Sequence, residues 1–461
     1  MIKSVFSKNH YLFSSTTSTD MIRREFLKKS ALGTLGLTTL GLPMIQAHPF
    51  FKNLPKVNRQ RIVDRLAELA KFGQDENGHG FRVAYTPGDI AGRKWLMDLM
   101  SQAGLNPRID AGGNIIGTRK GKNPDLKPIA FGSHIDMVPD GGNYDGTLGS
   151  LAALEVIEIL NEQKLITEHP LEVIIFANEE GGLIGSKAMV GKLTPEGLLQ
   201  ISQSGLTMAE GIRGIGGNPE QIKSAERKKG EIHAWLELHI EQGGILDAEG
   251  LQIGVVEGIV GILDVEVTVQ GFANHAGTTP MKLRKDAMLA ASKLTVAVNE
   301  IVTSIPGNQV GTVGKVEAHP GAYNVVPGKV NLGLEIRDLS FDKIEKLLAM
   351  IEKRAASIAE ETQTSIYFRR EPSFNLPALT DASLQQKINA SAIALGLSTK
   401  PMQSGAGHDS QQMALIGPVG MIFVPSVGGI SHSFNEFTKA EDLENGANVL
   451  FHTILAVDQE K

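Results

Sequence analysis

Four side chains able to hold a cation or move a proton crowd one stretch of this chain, Phe131 to Thr147. They are His134, Asp136, Asp140 and Asp145, set among four glycines. Acids packed this closely repel unless a cation sits among them, which points to a metal site. The same residues also suit a polar loop, capped by Asp and turned by Gly. The stretch alone does not choose between the two. Asn178-Glu179-Glu180-Gly181-Gly182 follows the apolar run Leu171–Ala177. Two adjacent carboxylates there cannot both point the same way. One can bind a cation while the other faces a substrate. His239 lies in the apolar frame Leu236–Ile240, where a lone histidine is more often a core residue. Two glycine loops near the end, Ser404–Asp409 and Gly428–Ser433, carry His408 and His432. Each signal is weak alone. Together, separated imidazoles and carboxylates at element ends are what a two-metal hydrolase needs, including one shared carboxylate and a place for water.

The elements that must position these groups follow from periodicity. Pro128–Phe131 reads as a strand and Leu148–Leu160 as a helix, so the first stretch is a strand, a polar loop and a helix. The carboxyl end of a strand is where α/β sheets bind ligands. Leu171–Ala177 is nearly all apolar, the mark of a central strand covered on both faces. Strand, helix, strand in this order indicates a βαβ unit. Upstream, Val57–Phe72 is an amphipathic helix, and Thr86-Pro87 opens a second helix that stops at Gly104. After Gly258 the pattern changes. Leu263–Gln270 alternates, a helix covers 286–305, strands cover 310–317 and 329–338, a long helix runs 341–362, and a strand covers 365–369. That is β-α-β-β-α-β, the ferredoxin-like order. Past Pro372 the α/β character returns. The expected fold is α/β, a central mixed sheet flanked by helices over residues 49–259 and 372–461. A ferredoxin-like α+β domain is inserted at 260–371.

Bulk properties narrow the function. At 461 residues, two domains are the default expectation. Hydrophobic content of 41% with 21% charged residues describes a folded globular protein. A net charge of −6 argues against a nucleic-acid binder. There is no cysteine, so imidazole and carboxylate remain as the metal-ligand chemistry. Arg23-Arg24-Glu25-Phe26-Leu27-Lys28 precedes the uncharged apolar segment Ala31–Leu42, with Ala47 beyond it. This resembles a twin-arginine export signal over residues 1–48, and the expected location is periplasmic.

Seven motifs now stand in order: SHIDMVPDGGNYDG, NEEG, ELHIEQG, GFANHAGTTPMKLRKDA, YNVVPG, SGAGHDS and GGISHS. The chain resembles the di-metal aminoacylase/carboxypeptidase-like amidohydrolases. Within them it resembles the branch of N-carbamoyl-L-amino-acid hydrolases, β-ureidopropionases and allantoate amidohydrolases. The resemblance runs from about Val57 to Val457. It implies two divalent ions per subunit (zinc, manganese, cobalt or nickel) held by His134, Asp145, Glu180, His239 and His432. Asp145 would bridge them, with His134 and His239 on different ions. Asp136 would orient His134, and Glu179 would be the general base that makes a metal-bound hydroxide. His275, Asn324 and Arg337 of the inserted domain would bind substrate, His275 also stabilising the oxyanion. Gln242, Gly407 and His408 would complete the pocket. The inserted domain would act as a lid and join a homodimer. On the residues alone, Arg337 has a competing reading as a surface arginine paired with Asp338 or Glu335, and Asp140 reads as a turn residue.

Two departures from the family's pattern stand out. Gly182-Leu183-Ile184 replaces a small residue followed by Arg-Phe, and Phe434 replaces a proline. The expected reaction is hydrolysis of the ureido C–N bond of an N-carbamoyl-L-amino acid or an allantoate-like substrate. The competing readings are a metallopeptidase or N-acyl-amino-acid deacylase on the same scaffold, and a non-catalytic binding protein.

Overall fold

The computed structural model describes residues 55–371 and 375–460. The signal-like segment expected over residues 1–48 therefore lies outside the described residues. The first apolar run builds the centre of the main sheet. In chain order its strands are β1 (Arg108–Ile109), β2 (Ile115–Arg119), β3 (Ile129–His134), β4 (Leu171–Phe176), β5 (Ala234–Ile240) and β6 (Ile253–Ile259). The chain then leaves this sheet for β7 (Gly261–Gln270), β8 (Asn274–His275), β9 (Val310–His319), β10 (Val325–Val326), β11 (Lys329–Asp338) and β12 (Ser365–Arg370). It returns for β13 (Ala378–Leu379), β14 (Thr399–Ser404) and β15 (Val419–Val424).

The main sheet runs β1-β2-β4-β3-β5-β15-β6-β13, with β14 also on β6. Its middle is parallel (β4, β3, β5, β15); β1, β2, β6 and β13 pair antiparallel, and β14 runs parallel to β6, a mixed sheet as expected. Strands β3, β5 and β15 are buried at every position. They can be, because helices cover both faces. The Thr147–Glu162 helix and the Ala440–Val457 helix are almost wholly buried on one side. Met189, Met413 and Ile416 pack on the other. This sandwich brings the carboxyl ends of β3, β4, β5 and β15 to one edge.

The second sheet runs β12-β7-β11-β9, antiparallel throughout. The alternation in β7 explains its architecture. Leu263, Val265, Val267 and Val269 enter a core with the Ala287–Ser304 and Phe341–Thr362 helices, while Asp264, Glu266 and Thr268 face outward. Asp286 caps the first of these helices through Met288 N and Leu289 N, and Ser340 caps the second through Lys343 N. Arg337 lies on the outward face of β11. Among the described residues no helix is long and apolar enough to cross a membrane.

Candidate active site

Four loops at the carboxyl ends of the parallel strands deliver the chemistry. His134 ends β3, and Asp145 closes the following loop just before the Thr147–Glu162 helix. Glu179 and Glu180 follow β4, His239 sits near the end of β5, and His432 follows β15. Asp145 is the meeting point. Its Oδ1 lies 3.5 Å from His134 Nε2 and 3.2 Å from His239 Nε2. Its Oδ2 lies 3.4 Å from His432 Nε2, which in turn is 3.5 Å from Glu180 Oε2. Among the described residues three groups could hold a cation; two of them, His134–Asp145–His239 and Asp145–Glu180–His432, share the one aspartate, and the third is Glu237–His239–His408.

The donor set suits cations. His134 Nδ1 is 3.0 Å from the Asp136 carbonyl, and His239 Nδ1 is 2.9 Å from the Ile240 carbonyl. A carbonyl only accepts, so each Nδ1 carries a hydrogen, and each Nε2, when it carries no proton, turns its lone pair toward Asp145. The Gly146 amide donates to His239 Nε2, as it must if that nitrogen is an acceptor. Lone pairs on imidazole and carboxylate then face one another across 3.2–3.5 Å, an arrangement that asks for positive charge between them. Glu180 Oε1 and Gln242 Oε1 are also buried acceptors with no hydrogen-bond donor.

The electrostatics agree. Burial works against ionisation of Asp145, yet the three imidazoles hold its carboxyl well below the usual range. Burial also disfavours a charged His134, but the carboxylates of Glu179, Asp145 and Asp136 raise it well above an ordinary histidine. The hydrogen bond to Asp145 lifts His432 to about 9. Burial, then the charge of Asp145, lifts Glu180 to about 7. The cluster draws in positive charge, which protons or divalent ions can supply.

Glu179 stands apart from both groups, its Oε2 3.8 Å from His134 Nε2. Burial, together with the negative charges of Asp409, Glu180 and Asp145, pushes its carboxyl well above the usual range, against the pull of His134. A carboxyl tuned upward in this way suits a group that takes a proton and gives it back.

The structure revises several sequence expectations. The resemblance implies His134 and His239 on different ions, whereas in the structure both Nε2 atoms face the same oxygen of Asp145, within one candidate cation group. Asp136 does orient His134, but through its backbone carbonyl. Its carboxylate accepts the amides of Glu179 at 3.3 Å and Glu180 at 3.1 Å, fixing the loop that carries both acids. Gln242 donates from Nε2 to Asp145 Oδ2 at 2.7 Å and so steadies the shared carboxylate. His408 is buried, shares a hydrogen bond with Ser404 Oγ and lies edge-on to His239 with centroids 4.5 Å apart. Burial and the neighbouring His239 keep it well below an ordinary histidine, hence neutral. Gly407 is half-buried in the same loop.

Arg337 takes the competing reading in part. It pairs with Glu335 in a fork (2.7 and 2.8 Å), and it also donates to the Gly405 carbonyl at 2.6 Å. It therefore reaches the loop that leads to His408. His275 and Asn324 are exposed and lie apart from the cluster. The His275 ring accepts the amides of Gly277 and Thr278, and Asn324 accepts the Ala276 amide through its carbonyl. Asp140 is a turn residue at φ 55°, outside both groups, as expected.

Two buried acids escaped the sequence reading. Glu436 accepts the amides of Tyr144 and Asp145 and the hydroxyl of Ser431, clamping the loop that ends in Asp145. Glu237 accepts Ser133 Oγ at 2.7 Å and both Ser410 Oγ and N, tying β3 and β5 to the His408 loop. Glu436 has no ligand-like spacing to reveal it, whereas Glu237 stands two residues before His239 and groups with His239 and His408. Glu237 could have been suspected, because an acid in an otherwise apolar strand needs a buried partner.

Gly146 shows how tightly this edge is packed. Its φ is +63°, and a Cβ there would lie 2.2 Å from His134 Nε2. Gly146→Ala is expected to combine left-handed backbone strain with a clash against a candidate ligand, at a cost of at least about 2 kcal/mol. Denaturant unfolding would show this as a lower midpoint with an unchanged slope, and metal content would fall with it.

An α/β domain whose parallel strands bring imidazoles and carboxylates to one shared aspartate defines a class, the hydrolases with groups able to hold divalent cations. Residues 130–456 match Peptidase family M20/M25/M40, and the chain belongs to that family. It is a hydrolase acting on C–N bonds. The N-carbamoyl-L-amino acid amidohydrolase of Geobacillus stearothermophilus is 39% identical over 408 residues, covering 87% of this chain and 99% of the relative. A ureidoglycolate hydrolase of Arabidopsis thaliana is 37% identical over 410 residues, covering 86% of each chain. Among solved structures, an amidase of the hydantoinase/carbamoylase family from Burkholderia multivorans superposes with a TM-score of 0.81 at 36% identity, covering 88% of this chain and 99% of that one.

Proposed function

We propose that this site hydrolyses the ureido C–N bond of an N-carbamoyl-L-amino acid or an allantoate-like substrate. The observation that carries the reading is the convergence of three imidazoles on Asp145, beside a buried Glu179 that belongs to neither cation group. The names of the relatives support the ureido chemistry. His134, Asp145, Glu180, His239 and His432 would hold two divalent cations. Bound there, the cations would lower the pKa of water and polarise a carbonyl. Glu179 takes the proton of the attacking water and returns it to the nitrogen of the departing amino acid. The other product, carbamic acid, breaks down to carbon dioxide and ammonia. The Asp136 carboxylate keeps Glu179 aimed through its backbone, and Gln242 keeps Asp145 in place.

Arg337 has a planar fork of the kind a substrate carboxylate needs, which the substrate would take over from Glu335, and its bond to Gly405 holds it beside the His408 loop. His275 and Asn324 join the site in this reading only through a second copy of the chain, so the proposal includes a homodimer built on the inserted domain. It also includes export through the twin-arginine-like segment, checked by sequencing the N-terminus of periplasmic protein.

A substrate panel tests the reaction. Purified protein loaded with zinc, manganese, cobalt or nickel is assayed on N-carbamoyl-L-amino acids, allantoate, N-acetyl amino acids and dipeptides. Ammonia release from a ureido substrate is expected. Turnover of dipeptides alone would transfer the site to the peptidase reading.

A further inference from the structure

The loop Ser431–Phe437 is tied to the centre of the site at two points. Ser431 Oγ lies 3.2 Å from Asp145 Oδ2 and 2.8 Å from Glu436 Oε2, donating its one hydrogen to either, and Glu436 accepts the Asp145 amide at 3.2 Å. Between these anchors stands Phe434. Its ring lies flat on the imidazole of His79, with centroids 4.4 Å apart and planes within 10°. The loop of His79 is itself held. Its amide donates to Asp75 Oδ1 at 2.8 Å, its Nδ1 is 3.5 Å from Asp140 Oδ1, and Gly80 pairs with Gly141. The stack thus joins the loops that carry Asp145 and His432.

Phe434 is nevertheless 54% exposed. One ring face is covered by His79 and the rest meets solvent. Ile430 and Phe437 on the same loop are also exposed. Exposed apolar side chains on a loop that hydrogen bonds hold in place can meet an apolar group without reordering the loop. Two residues span at most about 7 Å of chain, so the Cα of Phe434 lies no farther than that from the Cα of His432.

We propose that Phe434 and His79 form a shelf at the mouth of the site that receives the substrate's own side chain and favours aromatic or large apolar groups over small ones. The proposal rests on the amide-hydrolase reading above and names its substrate class. The ring offers a flat apolar face with a preset orientation, on which an aromatic side chain stacks in the offset geometry that aromatic pairs prefer.

The test measures kcat/KM on the N-carbamoyl and N-acetyl derivatives of L-phenylalanine and L-alanine, for metal-loaded wild type, Phe434→Ala, Phe434→Tyr and His79→Ala. The phenylalanine-to-alanine ratio is expected to fall about tenfold in Phe434→Ala, carried by KM, and to fall less in His79→Ala. Phe434→Tyr, which keeps the platform, is expected to retain the ratio. Thermal melting confirms that the half-exposed substitutions leave the fold intact. A ratio unmoved by Phe434→Ala, in whichever series wild type turns over, overturns the shelf and leaves the hydrolase reading standing. If wild type turns over neither series, the N-carbamoyl-amino-acid part of that reading fails and takes the shelf with it.

Discussion

Glu179→Gln is expected to keep the fold and the bound metal and to lose about 10²–10⁴-fold in kcat. Three observations combine in this expectation. Glu179 belongs to neither of the cation groups that share Asp145. Its placement comes from the backbone, because the Asp136 carboxylate holds its amide rather than its side chain. Its carboxyl is buried among other carboxylates and pushed well above the usual range. Glutamine has nearly the same shape and cannot carry the proton. The substitution also removes a buried acid that its surroundings do not welcome, so stability is expected to hold or rise slightly. Steady-state kinetics, elemental analysis and a melting curve on one preparation separate the three properties. A fully active Glu179→Gln enzyme would remove the proton carrier from the account.

Asp145→Ala is expected to have the broader effect. This carboxylate faces the Nε2 atoms of His134, His239 and His432, accepts from Gln242 and lies 3.2 Å from Ser431 Oγ. Both cation groups contain it. Without it three imidazoles converge on an apolar methyl and each cation group loses a member. Changing residues that merely orient a ligand costs about 10–100-fold in metal affinity, and losing a shared ligand is expected to exceed that. After dialysis against metal-free buffer, Asp145→Ala is expected to retain little divalent metal and no measurable turnover. Metal content equal to wild type would refute the shared role. Asp145→Asn, which keeps the hydrogen-bonding shape without the charge, tells a loss of negative charge from a loss of packing.

Much of this was legible in the sequence, for identifiable reasons. Leu171–Phe176 and Val419–Val424 are apolar runs that only a doubly covered strand explains, and β7 alternates as a one-face strand must. Thr86-Pro87 announces its helix by capping chemistry. Strand β14 gave no such signal. It contains Pro401, it lies at the sheet's margin, and half of it is solvated. The short helices between residues 184 and 214 are too brief to show a period.

At the site, side-chain types were readable and backbone roles were not. Asp136 is visible as an acid two residues from His134, but nothing in the sequence says that its carbonyl takes the imidazole while its carboxylate holds the next loop. Glu436 acts on the amides of residues 144 and 145, almost three hundred positions away, a contact that no local spacing encodes. His239 looked like a core histidine because it is one by burial. Only the neighbouring strand ends show that its Nε2 faces Asp145. Arg337 stands on a strand whose outward face meets both Glu335 and Gly405, so its dual reading in the sequence reflects a dual contact in the fold.

The most direct test of the whole account is a metal titration. Chelator-treated protein is given increasing manganese or zinc while ammonia release from an N-carbamoyl-L-amino acid is followed. Two cation groups joined by Asp145 predict no turnover without metal and a rise to a plateau at two equivalents per chain. Full turnover in the metal-free protein, or a plateau unaffected by the added ion, would contradict it.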